Sequence, residues 1–236
     1  MAVQDDSREK EMCQLLGLRE GEGRSEVDAF FDFEENKRAH SASIELKSTT
    51  TGSVSTARDV GPTHIAKWRS RIWIFGFYNF SGTSLQQLLV LGPNEMESWI
   101  GKIEQYIKPD FAIGDRVAEK LDFEDLYIIC EKRSKYSLED AKSLHKRQWN
   151  QEKYRSEMDD ADGYTPAKML EILKLRAIYL NQRGSTLNNP HIPKSFFAKF
   201  TDRMIDVAHF SADARATIHQ TLRDITLSNK TLQWNR

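Results

Sequence analysis

Cysteine is nearly missing from this chain. Only Cys13 and Cys130 occur among 236 residues, too few for a disulfide framework, and this points to a reducing, cytoplasmic compartment. There is no CxxC pair and no close His/Cys spacing, so a zinc site is not expected. Long apolar runs are lacking too: no stretch approaches the roughly 20 residues of a membrane span, so no membrane partner is expected. The opening residues, "MAVQDDSREKEM", are polar and acidic where a secretory signal would be basic and then apolar. No P-loop, dinucleotide fingerprint or Ser/His/Asp pattern occurs, which leaves no basis for a nucleotide cofactor or for acyl transfer. An excess of one charge sign is also absent. The 34 Lys and Arg against 35 Asp and Glu give a net charge of −1, whereas nucleic-acid binders often carry a basic surplus.

The basic residues are instead gathered locally, in "KWRSR" (67–71), "EKRSK" (131–135) and "HKRQW" (145–149). Such clusters are either solvated faces or the walls of a positive groove on a neutral molecule. The hydrophobic fraction of 39% and charged fraction of 29% suit a globular chain rather than a disordered one. The length allows one large domain.

The periodicities divide the chain into an α/β part and a helical part. "SREKEMCQLLGL" reads as a helix that ends before a glycine-rich turn. "SEVDAFFDF" (25–33) and "SASIELKS" (41–48) alternate as two neighbouring strands, joined by the polar connection "EENKRAH". "TTTGSVSTARD" is a Ser/Thr/Gly-rich loop, "HIAKWRS" a short helix, and "RIWIFGFYNF" and "LQQLLVLG" two more strands. "NEMESWIGKIEQYI" places Met96, Ile100, Ile103 and Ile107 at helical spacing. "DLYIIC" (125–130) fits a short strand or a buried helix segment.

From about residue 137 the pattern is helical. "SLEDAKSLHKRQWNQEKYRSEM" carries a Ser137…Asp140 start signal. "TPAKMLEILKLRAIYLNQRG" has Pro166 at its first position and Gly184 past its end, and its apolar content predicts a largely buried helix. "PKSFFAKFTDRMIDVAHF" and "ADARATIHQTLRDITL" complete the set. The expected architecture is a mixed β-sheet core flanked by helices over residues 1–135. A mainly helical part over 136–236 is expected to belong to the same domain.

"SIELKSTT" (43–50) carries the chemistry. Strand side chains alternate, so Ile44 and Leu46 share one face while Glu45 and Lys47 share the other. Asp28 stands on the preceding strand, 17 residues before Glu45. Two carboxylates converging from neighbouring strands suit Mg²⁺, and a lysine beside them completes the parts of a phosphodiester hydrolysis site. The alternative is a solvated acidic face with a surface lysine. Asp32, which shares a face with Asp28, competes for the place of the first acid.

An Asp-bearing strand followed by Glu-X-Lys on the next resembles the PD-(D/E)XK nuclease superfamily, with Asp28 and Glu45-Leu46-Lys47 in the matching positions. The motif itself spans about 25 residues, and the order of helix, strands and crossover helix extends the resemblance over roughly the first 110. Val27 stands where the family often has proline. The resemblance implies that Asp28 and Glu45 hold Mg²⁺, with Lys47 beside them. The chain's size and its helical half look most like a type II restriction endonuclease, which implies a homodimer cutting both strands of double-stranded DNA. A repair nuclease of the same superfamily and a non-cleaving DNA-binding regulatory protein are the alternatives.

Other residues suit DNA contacts. Arg58, His64, Lys67, Arg69 and Arg71 follow the candidate site within one short stretch and are expected to meet phosphates; the resemblance implies that Lys67 stands near the scissile one. Asn188, Asn189 and His191 sit in "RGSTLNNPHIPK" (183–194), where amides suit adenine edges or simply join two helices. Trp68 and Trp73 read as packing residues.

Overall fold

A computed structural model describes residues 2–21, 27–56, 60–184, 188–207 and 211–229. The chain clusters into two compact units. Met1–Arg58, Pro62–Glu104 and Asn188–Arg236 form one; Asp59–Gly61 and Gln105–Leu187 form the other. The expected mixed α/β class is what is observed.

In the first unit, α1 (Ala2–Leu16) leads to β1 (Arg19–Glu20), β2 (Ala29–Glu35) and β3 (Arg38–Thr49). β2 and β3 pair antiparallel up to Glu35↔Arg38. The stretch read as a polar connection is therefore a two-residue turn, with Asn36 and Lys37 at φ 52° and 60°. Two successive left-handed residues give the turn whose twist matches that of the flanking strands. After β4 (Val54–Ser55), α2 (Pro62–Arg69) crosses over to β5 (Ile72–Tyr78), which lies parallel to β3. β6 (Leu85–Leu91) returns antiparallel, and α3 (Pro93–Lys120) follows.

β3 thus lies between β2 and β5, with both faces covered. On one face Ile44, Leu46, Ile72 and Ile74 are fully buried with Met12 and Leu16 of α1 and with Ile218 and Leu222 of α9 (Ala212–Ser228). On the other, Trp73 of β5 packs against Trp68 and Trp99, with ring centroids 5.8 and 6.0 Å away. Trp68 and Trp73 are packing residues, as expected.

In the second unit, "DLYIIC" resolves as helix α4 (Phe123–Ile129), opened by an Asp122 capping box. The single helix expected after Ser137 is two, α5 (Leu138–Leu144) and α6 (Gln151–Ser156). Lys146 and Arg147 between them adopt φ 54° and 56°, and the Arg147 amide donates to Lys142 O at 2.8 Å, closing the first helix in a left-handed cap. α7 (Pro166–Gly184) includes Gly184 rather than stopping before it. It buries only a stripe of Met169, Ile172 and Leu173, and leaves Leu175 and Leu180 exposed.

The last elements belong to the first unit. β7 (His191–Ile192) pairs with β4 as a separate two-stranded ribbon. The stretch from Lys194, read as one helix, is α8 (Lys194–Phe197), a 3₁₀ turn (Ala198–Arg203) broken at Phe200, and β8 (Ile205–Asp206) on the edge of the six-stranded sheet. No helix among the described residues is long and apolar enough to cross a membrane.

His145 supplies a test of the helical unit's core. Its ring is buried, lies 3.2 Å from the Tyr154 hydroxyl, and packs against Trp149. Burial, helped by the nearby Arg176 charge, holds its pKa below the ordinary 6.5. The unfolded chain therefore takes up the proton first, so this contribution to stability is complete above pH 6.5 and declines as pH falls below it. Thermal unfolding between about pH 8 and pH 5 should show that loss in the wild type and a smaller one in His145→Gln.

Candidate functional site

Alternation along β3 puts Glu45 and Lys47 on the face opposite Ile44 and Leu46, as the sequence requires. What surrounds them is tertiary. Glu45 is only 5% exposed. Its Oε1 lies 2.8 Å from Lys47 Nζ, and its Oε2 accepts a hydrogen bond from Arg71 Nη1. Arg71 is itself buried and stands immediately before β5. The parallel register pairs Ile44 with Ile72, which brings that guanidinium alongside β3.

Asp28 sits one residue before β2, and its backbone carbonyl accepts from Gly21 N at 3.0 Å. Its Oδ2 accepts from the Leu46 amide at 2.8 Å and from Lys47 Nζ at 3.1 Å. The same Nζ donates to the Leu46 carbonyl at 2.7 Å. Three oxygens, from Asp28, Glu45 and the Leu46 backbone, therefore converge on one point, and the Lys47 ammonium lies there.

Burial alone would raise the pKa of the Glu45 carboxyl, but the Lys47 and Arg71 charges outweigh it and the net direction is downward. Burial would likewise lower that of Lys47, but the Glu45 and Asp28 carboxylates prevail and push it upward. Both groups are held in their charged forms.

The cluster opens into a cavity of about 840 Å³ lined by Asp28, Glu45 and Lys47 together with Arg8 and Glu9 of α1, a size typical of ligand clefts. One wall is hydroxyl-rich, with Ser48, Thr49, Thr50, Thr51, Ser53 and Thr56; the other carries His64, Lys67 and Arg71 of the α2 region. Cations and hydroxyls around two carboxylates form a surface suited to an anionic ligand.

The remaining expected site residues separate into groups. His64, Lys67 and His191 line the cavity. Arg69 does not: its guanidinium binds Glu97 at 2.7 and 2.9 Å and Glu104 at 2.7 Å on α3. Asn188 is exposed and Asn189 half-buried, both outside the cavity lining. Arg58 lies outside the described residues. Asp32 is exposed and forms two hydrogen bonds with Arg19, at 2.6 and 3.1 Å, so Asp28 is the acid that meets Glu45.

His191 is held by its backbone. Pro190 O accepts from Thr56 N at 3.0 Å and Thr56 Oγ1 at 2.9 Å, and His191 O accepts from Trp99 Nε1 at 3.1 Å. Sequence reasoning missed Arg8, which no local pattern marks. It also took Arg71 for a phosphate contact, where its position beside an apolar strand could have signalled a buried partner.

The donor set fits a small hard cation, because carboxylate and carbonyl oxygens are what Mg²⁺ or Mn²⁺ prefers. Among the described residues, no group of three or more His, Cys, Asp and Glu side chains is placed to hold a metal; the third oxygen here is a backbone carbonyl. No protein-family model and no curated protein matches the chain.

Arg71→Met should test the buried pair. Glu45 would keep Lys47 but lose its second counter-charge, at a cost of about 3 kcal/mol, toward the lower end for a broken buried ion pair. Because the Glu45 carboxyl is held below its ordinary value, its stabilisation is complete above pH 4.5 and is lost as pH falls through the lowered value. Urea unfolding at neutral pH should show the loss, and adding Glu45→Gln to Arg71→Met should recover part of it.

Proposed function

We propose that this protein is a Mg²⁺-dependent endonuclease of double-stranded DNA, related in design to the type II restriction enzymes. The observation that carries the reading is the meeting of Asp28, Glu45, Lys47 and the Leu46 carbonyl at one point of a cationic, hydroxyl-lined cavity. The element order around it supports the same reading: a helix, an antiparallel set of strands, a crossover helix, and a strand parallel to the one bearing Glu45 and Lys47.

In this reading Asp28, Glu45 and the Leu46 carbonyl are the ligands. They would hold Mg²⁺, which would supply Lewis-acid polarisation of the scissile phosphate and activation of a water. Lys47, beside the same oxygens, would orient the attacking water and offset charge developing on the phosphate. Arg71 holds Glu45 Oε2, fixing which oxygen faces the ligand point. Lys67 and His64 neutralise neighbouring phosphates, and the Ser48–Thr51 hydroxyls bond their oxygens. Asn188, exposed beside the clamped Pro190–Ile192 backbone, is the candidate for reading a base edge. Two copies acting on opposite strands make a homodimer the working form, in the cytoplasm.

Cleavage of mixed duplex DNA with Mg²⁺ or with EDTA tests the reading. Discrete bands that require Mg²⁺ are expected. A smear indicates a nuclease without site specificity, and shifted but intact DNA a binding protein. Asp28→Ala, Glu45→Ala and Lys47→Ala should each lower the rate by about 10²–10³-fold or more; a fully active Glu45→Ala would sink the assignment.

The Lys47 geometry yields a second expectation. An ammonium among the three oxygens competes with a divalent ion for them, so Lys47→Met should bind Mn²⁺ more tightly than the wild type while failing to cleave. Isothermal titration calorimetry of the DNA-free protein reads this directly.

A further inference from the structure

The turn between β5 and β6 presents Phe80 with 94% of its surface in water, the most exposed of the large hydrophobic residues described. An exposed aromatic on a loose loop would mean little, but this turn is tightly built. Asn79 Oδ1 accepts from Thr83 N at 2.9 Å, Ser84 N at 3.2 Å and Ser81 Oγ at 3.1 Å. Gly82 N donates to Asn79 O at 2.8 Å, and Asn79 N to Ser84 O at 2.9 Å. The backbone is fixed while the ring, among the described residues, stays almost wholly in water.

The turn also touches the rim of the candidate site. Arg8 Nε donates to Gly82 O at 3.3 Å, and its Nη1 lies 3.5 Å from Ser48 Oγ. Gly82 has φ +73°, and a methyl group there would meet the Arg8 guanidinium at 1.9 Å and Thr50 Cγ2 at 3.3 Å. Any other residue there would adopt a strained left-handed φ and would have to displace the Arg8 guanidinium. Arg8, Ser48 and Thr50 all line the cavity. Phe80 stands two residues from Gly82, at most about 7 Å along the chain, or about two nucleotide steps at roughly 3.4 Å each.

We propose that Phe80 is a base-stacking platform: it packs against a nucleobase of the strand whose phosphate enters the cavity, next to the bond to be cut. The rim selects this occupant. Guanidinium and hydroxyls suit a phosphodiester, and an apolar ring two residues along the same turn suits the flat face of a base; a nucleotide carries both groups. Stacking on one side chain is indifferent to base identity, so Phe80 would add affinity and hold an unstacked base without reading sequence. The inference rests on the nuclease reading.

The test is fluorescence anisotropy with a labelled single-stranded oligodeoxythymidine and its base-free counterpart built of tetrahydrofuran residues, with Ca²⁺ in place of Mg²⁺. Phe80→Ala should weaken binding to the thymidine strand roughly 5- to 100-fold. Phe80→Trp should restore it, and the penalty should vanish on the base-free strand. Equal affinity of wild type and Phe80→Ala, or the same penalty on both strands, overturns the proposal. So does a gel-filtration result in which Phe80→Ala turns a dimer into a monomer, since the ring then serves a second copy. A wild type that cuts duplex DNA with Mg²⁺ while Phe80→Ala binds normally fails this inference alone. A wild type that neither binds nor cuts DNA fails the nuclease reading.

Discussion

A carboxylate buried in the middle of a sheet is the constraint around which this molecule is arranged. Glu45 could not remain ionised at its depth without compensation, since desolvating an isolated carboxylate costs several kcal/mol. Two cations supply that compensation, and they come from different places: Lys47 from two residues along the same strand, Arg71 from the strand that pairs with it. The parallel register of β3 and β5 is therefore an electrostatic matter as well as a hydrogen-bonding one. A slip of one residue would carry Glu45 into the Ile44 and Leu46 core and leave Arg71 facing nothing. On the face that carries Trp73, the Trp68, Trp73 and Trp99 rings are buried against one another, and a low-dielectric surrounding strengthens charge pairs.

The same strand performs two tasks by parity. Ala42, Ile44 and Leu46 lie in the core with α1 and α9; Glu45 and Lys47, on the alternate positions of the same stretch, carry the charges. A similar separation occurs in α2, where Lys67 faces the cavity while Arg69, two residues on, is taken up by two glutamates of α3. A basic run in sequence thus becomes one cavity cation and one structural one, because successive helical positions diverge by about 100°.

That division also marks what could be read from the chain beforehand. The opposed faces of "SIELKS", the cap at Ser137 and the crossover helix follow from local periodicity and capping chemistry, which depend on nearest neighbours. The separation of Asp28 from Asp32 rests on the fold: strand register sets Asp32 opposite Ser41, where it binds Arg19, and leaves Asp28 against the Leu46 amide. The break after Leu144 was invisible because Lys146 and Arg147 are not residues that announce a left-handed turn; the buried contact of His145 with Tyr154 sets it. β7 and β8 were missed for a related reason. Two-residue strands exist only where a distant partner, β4 or β6, lies ready to pair with them. Arg71 shows the same limit at the site, since its partner is chosen by strand register.

The position of β7 bears on how the molecule is made. Asp28, Glu45 and Lys47 leave the ribosome early, but His191 and the ribbon that closes the hydroxyl-lined loop follow only after the 83 residues Gln105–Leu187 have been synthesised. Contacts of such high sequence separation form late and slowly, because a long loop must close before they are rewarded. Early folding of the intervening helical unit shortens that loop by bringing its ends under local control. The charged cluster thus assembles from neighbouring strands in the first part of the chain, while the cavity around it is walled last. For a protein of the proposed activity, that order keeps the site incomplete until the residues of β7 have emerged.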